Sequence, residues 1–312
     1  MAPRDRNSSK RSASSEADYT RADLEREFPD DATCLEFLWR QNFSEDGEHA
    51  RCPKCGVERK FHRVASRASY SCDTCGHHIH PTAGTVFHKS STGLHLWFKA
   101  IFLMSSTRCG VSAKQIEREL GVTYKTAWRI ANLIRNKLMA QSDEPLDGEV
   151  EADETSVGGR AFNRRYPKRT REQHLDRRTD VWGAVERGGR VRASVVPSRS
   201  GPTVRAEVRK FVLPSTVLFT DDYVAYVPLG QEGYRHRRIN HSERVYVHGN
   251  VHTQTIEGFW GLLKNGLRGT YHAVSRKWLQ GYLNEFAWRY NERRTDEPMF
   301  LTLIAEACRA SS

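Results

Sequence analysis

The chain has 312 residues, 38% hydrophobic and 28% charged with 11 prolines, a globular composition that excludes collagen-like, mucin-like and wholly disordered chains. That length suggests two domains, or one large domain with a satellite. Forty-nine Lys and Arg against 38 Asp and Glu leave +11 at pH 7, a balance suited to a polyanionic partner.

Residues 1–20 are rich in Ser and charge and poor in apolar side chains, so a disordered tail is expected. Apolar positions from Leu24 to Asn42 fall near helical spacing and predict a short helix. The seven cysteines, at 34, 52, 55, 72, 75, 109 and 308, are odd in number and follow no secretory leader, which argues against a disulfide framework. Cys52-Pro-Lys-Cys55 and Cys72-Asp-Thr-Cys75 are separated by 16 residues, and each pair is followed by Gly. Two such knuckles can direct four thiolates at one structural Zn²⁺. Between them Lys60 to Tyr70 alternates like a hairpin strand, so residues 21–90 are expected to form a zinc ribbon domain. Cys109 and Cys308 read as small hydrophobes.

Leu94 to Met104 is the most apolar stretch. It is too short for a bilayer and carries His95 and Lys99, so it is expected to be a core helix and no membrane partner is expected. Ser112 can cap a helix with Ile116 and Leu120 inward, Gly121 can end it, and Thr123 can cap a second. This is helix-turn-helix spacing, placed within residues 91–145. Tyr124, Lys125 and Arg129 on the second helix are the residue types that contact bases and phosphates of double-stranded DNA. Two ordinary packed helices are the alternative.

Beyond Pro145 and Gly148, Glu149–Val157, Val181–Glu186 and Val191–Val196 read as strands, Thr203–Val212 as a helix, Val217–Asp221 as a strand and His252–Leu267 as a helix. That order fits an RNase H-like α/β domain over residues 146–300. Its first hairpin is interrupted by the basic run 160–178, read as a solvated or DNA-gripping loop. Carboxylates stand at Glu151, Asp153 and Glu154, at Asp221 and Asp222, and at Glu257. Three of them, from two strand ends and a helix, can hold two Mg²⁺ (or Mn²⁺) ions. Lys264, seven positions after Glu257, shares its helix face and is expected to ground a DNA phosphate. Alternation along the fourth strand puts Asp221 and Asp222 on opposite faces. The 35-residue interval to Glu257 favours Asp221 as ligand, and Asp222 is expected to cap a helix starting at Tyr223. His272, Trp288, Tyr290 and Asn291 fit either packing or DNA contact, with packing favoured for Trp288.

The four-cysteine ribbon, Glu151-Ala-Asp-Glu-Thr155, Thr220-Asp221, Thr255-Ile-Glu257-Gly-Phe-Trp260 with Lys264, Gly269-Thr-Tyr-His272 and Glu285-Phe-Ala-Trp-Arg-Tyr-Asn291 together resemble one family. It is the prokaryotic insertion-sequence transposases that join an N-terminal zinc ribbon to a DDE/K catalytic domain, relatives of eukaryotic Merlin elements. The resemblance implies Asp153, Asp221 and Glu257 as the catalytic triad. It implies binding to terminal inverted repeats, Mg-dependent strand cleavage and strand transfer into target DNA by a homodimer or higher oligomer. A cytoplasmic, nucleoid-associated protein follows. Two other functions fit the same residues: a catalytically silent DNA-binding regulator and a structure-specific nuclease.

Overall fold

The computed structural model describes residues 19–158, 178–238 and 253–309, which divide into two compact units. One comprises the chain up to Leu138 together with Glu292 onward, and the other is Met139–Asn291.

The first unit opens with two helices where one was expected, α1 (Arg21–Glu27) and α2 (Asp31–Asn42). Pro29 disfavours helical backbone at Phe28, and the Asp30 carboxylate restarts the helix by accepting from the Thr33 amide at 2.8 Å. The expected tail also stops short of its predicted end. Thr20 caps α1 through a capping box, and the Tyr19 ring stacks on Phe300, centroids 4.7 Å apart; residues 1–18 lie outside the described residues.

Four short antiparallel strands follow, β1 (His49–Arg51), β2 (Glu58–Val64), β3 (Ser69–Cys72) and β4 (His78–Ile79), in the order β1-β2-β3-β4. So small a sheet has little core of its own, and α2 supplies one. Trp39, fully buried, stacks on Tyr70 with centroids 4.2 Å apart and donates its indole N–H to the Gly47 carbonyl. Next come α3 (Leu94–Ser105), α4 (Ala113–Leu120) and α5 (Tyr124–Leu133), the last continued by a π turn at Ile134–Leu138. Ser112 and Thr123 cap α4 and α5 through the Gln115 and Thr126 amides, and Gly121 ends α4 in the left-handed region. The final helix, α9 (Met299–Cys308), returns to this unit, where Phe300 joins Phe28 and Phe102 and the Cys308 carbonyl accepts from Asn42. Cys308 is buried as expected, whereas Cys109 is exposed because it lies in the turn before α4.

The second unit is a mixed sheet covered on both faces. Strands β5 (Glu149–Val157), β6 (Thr179–Glu186), β7 (Val191–Val196), β8 (Val217–Thr220) and β9 (Arg235–Arg238) take the order β7-β6-β5-β8-β9. The first three are antiparallel, and β8 runs parallel to both β5 and β9. One face packs Val150, Ala152, Trp182 and Leu218 against Val204 and Val208 of α6 (Gly201–Phe211) and Tyr226 of the 3-10 helix Val224–Glu232. The other packs Val181 and Val185 against Ile256, Phe259, Trp260 and Leu263 of α7 (Gln254–Gly266) and Leu283 of α8 (Arg276–Glu292). A π turn, Leu267–Tyr271, extends α7.

Amide side chains complete the outer edge of β7. Asn291, Gln141 and Gln280 each accept from a backbone N–H, of Val191, Ala193 and Val195, at 2.7–2.9 Å. This occupies a strand edge that would otherwise template pairing with another chain, and it gives Asn291 a structural role. Among the described residues, no helix is long and apolar enough to cross a membrane.

Candidate metal centres

In the ribbon, the four Sγ atoms of Cys52, Cys55, Cys72 and Cys75 lie within 4.8 Å of one another. Each knuckle closes on its trailing glycine. Gly56 and Gly76, at φ +73° and +66°, donate to the carbonyls of Cys52 and Cys72 at 2.9 and 3.0 Å. That left-handed backbone suits glycine. The Cys52 and Cys75 sulfurs are 3.6 Å apart, close to the ~3.8 Å that tetrahedral ligands 2.3 Å from zinc require. The residues present therefore fit a structural zinc ion.

The carboxylates are assembled differently, because alternation along β5 sorts them by face. Glu151 and Asp153 point to the α7 side: Glu151 accepts from the Thr255 and Ile256 amides, and Asp153 Oδ2 accepts from the Trp260 indole N–H at 2.9 Å. Glu154 points to the other side, where the Tyr226 hydroxyl donates to it. In the parallel β5–β8 register Glu151 stands level with Phe219. Asp221 is the first residue beyond β8, and its charge acts on Asp153, whereas the Asp222 carboxylate lies 3.9 Å from the Arg238 guanidinium on β9.

The expected helix at Tyr223 differs as well. A 3-10 helix starts at Val224, Tyr223 makes no side-chain cap, and the Tyr223 amide donates to Asp221 Oδ1 at 3.0 Å rather than to Asp222. An aspartate accepting from the amide two residues on makes an Asx-turn, and in this one the side chain bonded is Asp221.

Glu257 is exposed in the first turn of α7, and Thr253 Oγ1 donates to its Oε1 at 3.1 Å. Lys264 is half-buried two turns later. Burial first, then the charge of Asp221 and, more weakly, of Glu257, pushes the Asp153 carboxyl up to about 6. Burial likewise raises Glu154 to about 7, against the Tyr226 hydrogen bond. Repulsion at Asp153, in an all-oxygen donor set, fits a divalent cation. Among the described residues, only the four cysteines gather their ligand atoms within 4.8 Å of one another.

Two residues that the sequence left unmarked, Gly183 and Arg187, shape this site, together with Trp260, which it offered only as part of a motif. Trp260 orients Asp153, and Gly183, directly opposite Asp153 on β6, makes room for it, because a Cβ there would meet the indole at 2.5 Å. Arg187 donates to Glu151 at 2.9 Å and lies 3.9 Å over the Phe219 ring.

On α5, Tyr124, Lys125 and Arg129 are all exposed. Lys114 sits 5.0 Å over the Tyr124 ring, while Arg129 leans onto Trp97 and donates to Ser90. Of the basic run 160–178, all but Arg178 lies outside the described residues.

Residues 145–291 match the model of the ISXO2-like transposase domain. The chain is 29% identical over 254 residues to an uncharacterized protein in transposable element ISH50 of Halobacterium salinarum, covering 76% of this chain and 84% of that protein. It is also 29% identical over 97 residues to an uncharacterized transposase-like protein of Haemophilus influenzae, covering 31% of this chain and 77% of that one.

Proposed function

We propose that this chain, which carries an ISXO2-like transposase domain at residues 145–291, is a DNA transposase that binds the terminal inverted repeats of an insertion sequence. It cuts at those ends and joins them to target double-stranded DNA, working as a homodimer or higher oligomer on the DNA. The observation that supports this reading is that Asp153, on the face of β5 that meets α7, feels the charges of both Asp221 and Glu257. The sheet, three antiparallel strands followed by two parallel additions, supports an RNase H-like catalytic domain.

Asp153, Asp221 and Glu257 would hold two Mg²⁺ or Mn²⁺ ions, which when bound activate water or a 3′-hydroxyl and stabilise the leaving oxygen of a phosphodiester. The protein's own groups do the rest. The Trp260 indole N–H holds the Asp153 carboxylate in one orientation. Lys264 takes a DNA phosphate beside the reacting one, and its charge fixes the strand without reading its sequence. The zinc ribbon and the α4–α5 helix-turn-helix, through Tyr124, Lys125 and Arg129, recognise the element ends.

Purified protein incubated with cut-end DNA, a target plasmid and Mg²⁺ tests the proposal. Joined product is expected. Cleavage without joining would indicate a nuclease, and end binding without product a catalytically silent regulator.

A further inference from the structure

The acidic pair on β5 divides its labour. Glu151 is fully buried and accepts at both oxygens. Arg187 Nε and Thr255 Oγ1 reach its Oε1 at 2.9 Å each, and the Thr255 and Ile256 amides reach its Oε2 at 2.8 and 3.1 Å. Those two amides belong to the first turn of α7, where backbone donors have no partner within the helix. The helix's own cap residue, Thr253, makes no side-chain cap bond. A carboxylate from a strand more than a hundred residues earlier serves instead, favoured further by the positive end of the helix dipole.

We propose that Glu151 is a positioning residue that fixes the first turn of α7, and with it Glu257, against the strand bearing Asp153. The inference rests on the catalytic reading above. Glu257 follows directly on Ile256, whose amide Glu151 holds, and Asp153 lies two residues beyond Glu151 on the same strand face. One side chain therefore links the backbone beneath two proposed metal ligands from distant parts of the chain. Arg187 stiffens the arrangement from behind, donating to Glu149 as well as Glu151 while stacked over Phe219. Misplacement of a catalytic group by about 1 Å can cost about a hundredfold in rate, so such a link bears on function and not only on stability. Glu151 itself faces backbone donors, a hydroxyl and a guanidinium, so its part is orientation rather than contact with substrate.

The test compares full-length wild type, Glu151→Gln, Thr255→Val and, as a control on the catalytic reading, Asp153→Asn. Two quantities are measured: hydrogen exchange of the 254–258 amides and affinity for Mn²⁺ alone. A glutamine turns an NH₂ group toward donors that a carboxylate satisfies. Glu151→Gln is therefore expected to speed exchange in the first turn of α7 about tenfold, leave β5 and β6 protected, and weaken Mn²⁺ binding about tenfold. Thr255→Val removes only the hydroxyl bond and should shift both by about threefold. A folded Glu151→Gln protein with wild-type exchange and wild-type Mn²⁺ affinity overturns the proposal. Should that variant not fold, an unchanged Thr255→Val protein overturns it instead. If Asp153→Asn binds Mn²⁺ as wild type does, the catalytic reading fails, and the exchange measurement still decides whether Glu151 anchors the helix.

Discussion

The two candidate metal centres are built by opposite routes. In the ribbon, each pair of cysteines is brought together within four residues by a turn that its trailing glycine closes, and a single hairpin joins the pairs. In the second unit, the proposed ligands Asp153, Asp221 and Glu257 come from a strand, the loop after another strand and a helix, and their charges come to bear on one another only once the fold has formed. The ribbon's ligands hold most of their own fold together, whereas the carboxylates are guests of a fold held by two apolar layers. The first site should therefore fail by unfolding and the second by losing chemistry.

The largest effect should come from the ribbon. Structural zinc in small domains contributes on the order of 10 kcal/mol of binding free energy that is also folding free energy. Cys52→Ser or Cys72→Ser is expected to lose the zinc equivalent and abolish end binding, while Mn²⁺ affinity at the carboxylates is kept. Metal analysis and a DNA-binding assay check this. Full zinc content in either variant would remove the contrast.

Next in size is the strand end. Asp221→Asn should lower cleavage and joining at least about a thousandfold, roughly 4 kcal/mol of transition-state stabilisation, with end binding intact. Asp222→Asn should keep most activity, since that carboxylate lies beside Arg238, 3.9 Å away, rather than among the proposed ligands. A dead Asp222 variant beside an active Asp221 variant would show the β8 register to be off by one.

Smaller again is a stability change of unusual sign. Burial and, after it, the charge of Asp221 push the Asp153 carboxyl up to about 6, above the ordinary aspartate range. A raised carboxyl opposes folding once ionised, so the penalty is absent below about pH 4, grows as pH rises to about 6 and is full above it. Raising the carboxyl to about 6 corresponds to about 2–3 kcal/mol. Without metal at pH 7.5, Asp153→Asn should melt higher than wild type. Adding Mg²⁺ should raise the wild-type midpoint and leave the variant's unmoved. A variant that melts lower would mean that the Trp260 hydrogen bond outweighs the repulsion.

The least effect is expected at Lys264. Replacement by Ala should weaken DNA binding uniformly across sequences and reduce the salt slope by about one ion. An unchanged slope together with a lowered melting point would make Lys264 a packing residue.

Local chemistry was readable without the fold. The cysteine knuckles, the caps at Ser112 and Thr123 and the stop at Gly121 all depend on residues within about four positions of one another, and each stands where its pattern places it. The same locality explains the misreadings. Periodicity ran through Pro29 and merged two helices. The strand Arg235–Arg238 went unseen because its four residues are Arg and His, and an edge strand of this kind is recruited by backbone pairing to β8 and not by an apolar pattern.

By itself, then, the sequence determined the alternation that separates Asp153 from Glu154, because successive residues on a strand must face opposite ways. It could not say which face meets α7. That was decided only when Glu151 bonded to the start of that helix, Gly183 left space for Trp260, and the charge of Asp221 came to bear on Asp153. Each of these is a contact across tens of residues. Its geometry depends on how two apolar layers pack against one sheet, and no spacing along the chain encodes that directly.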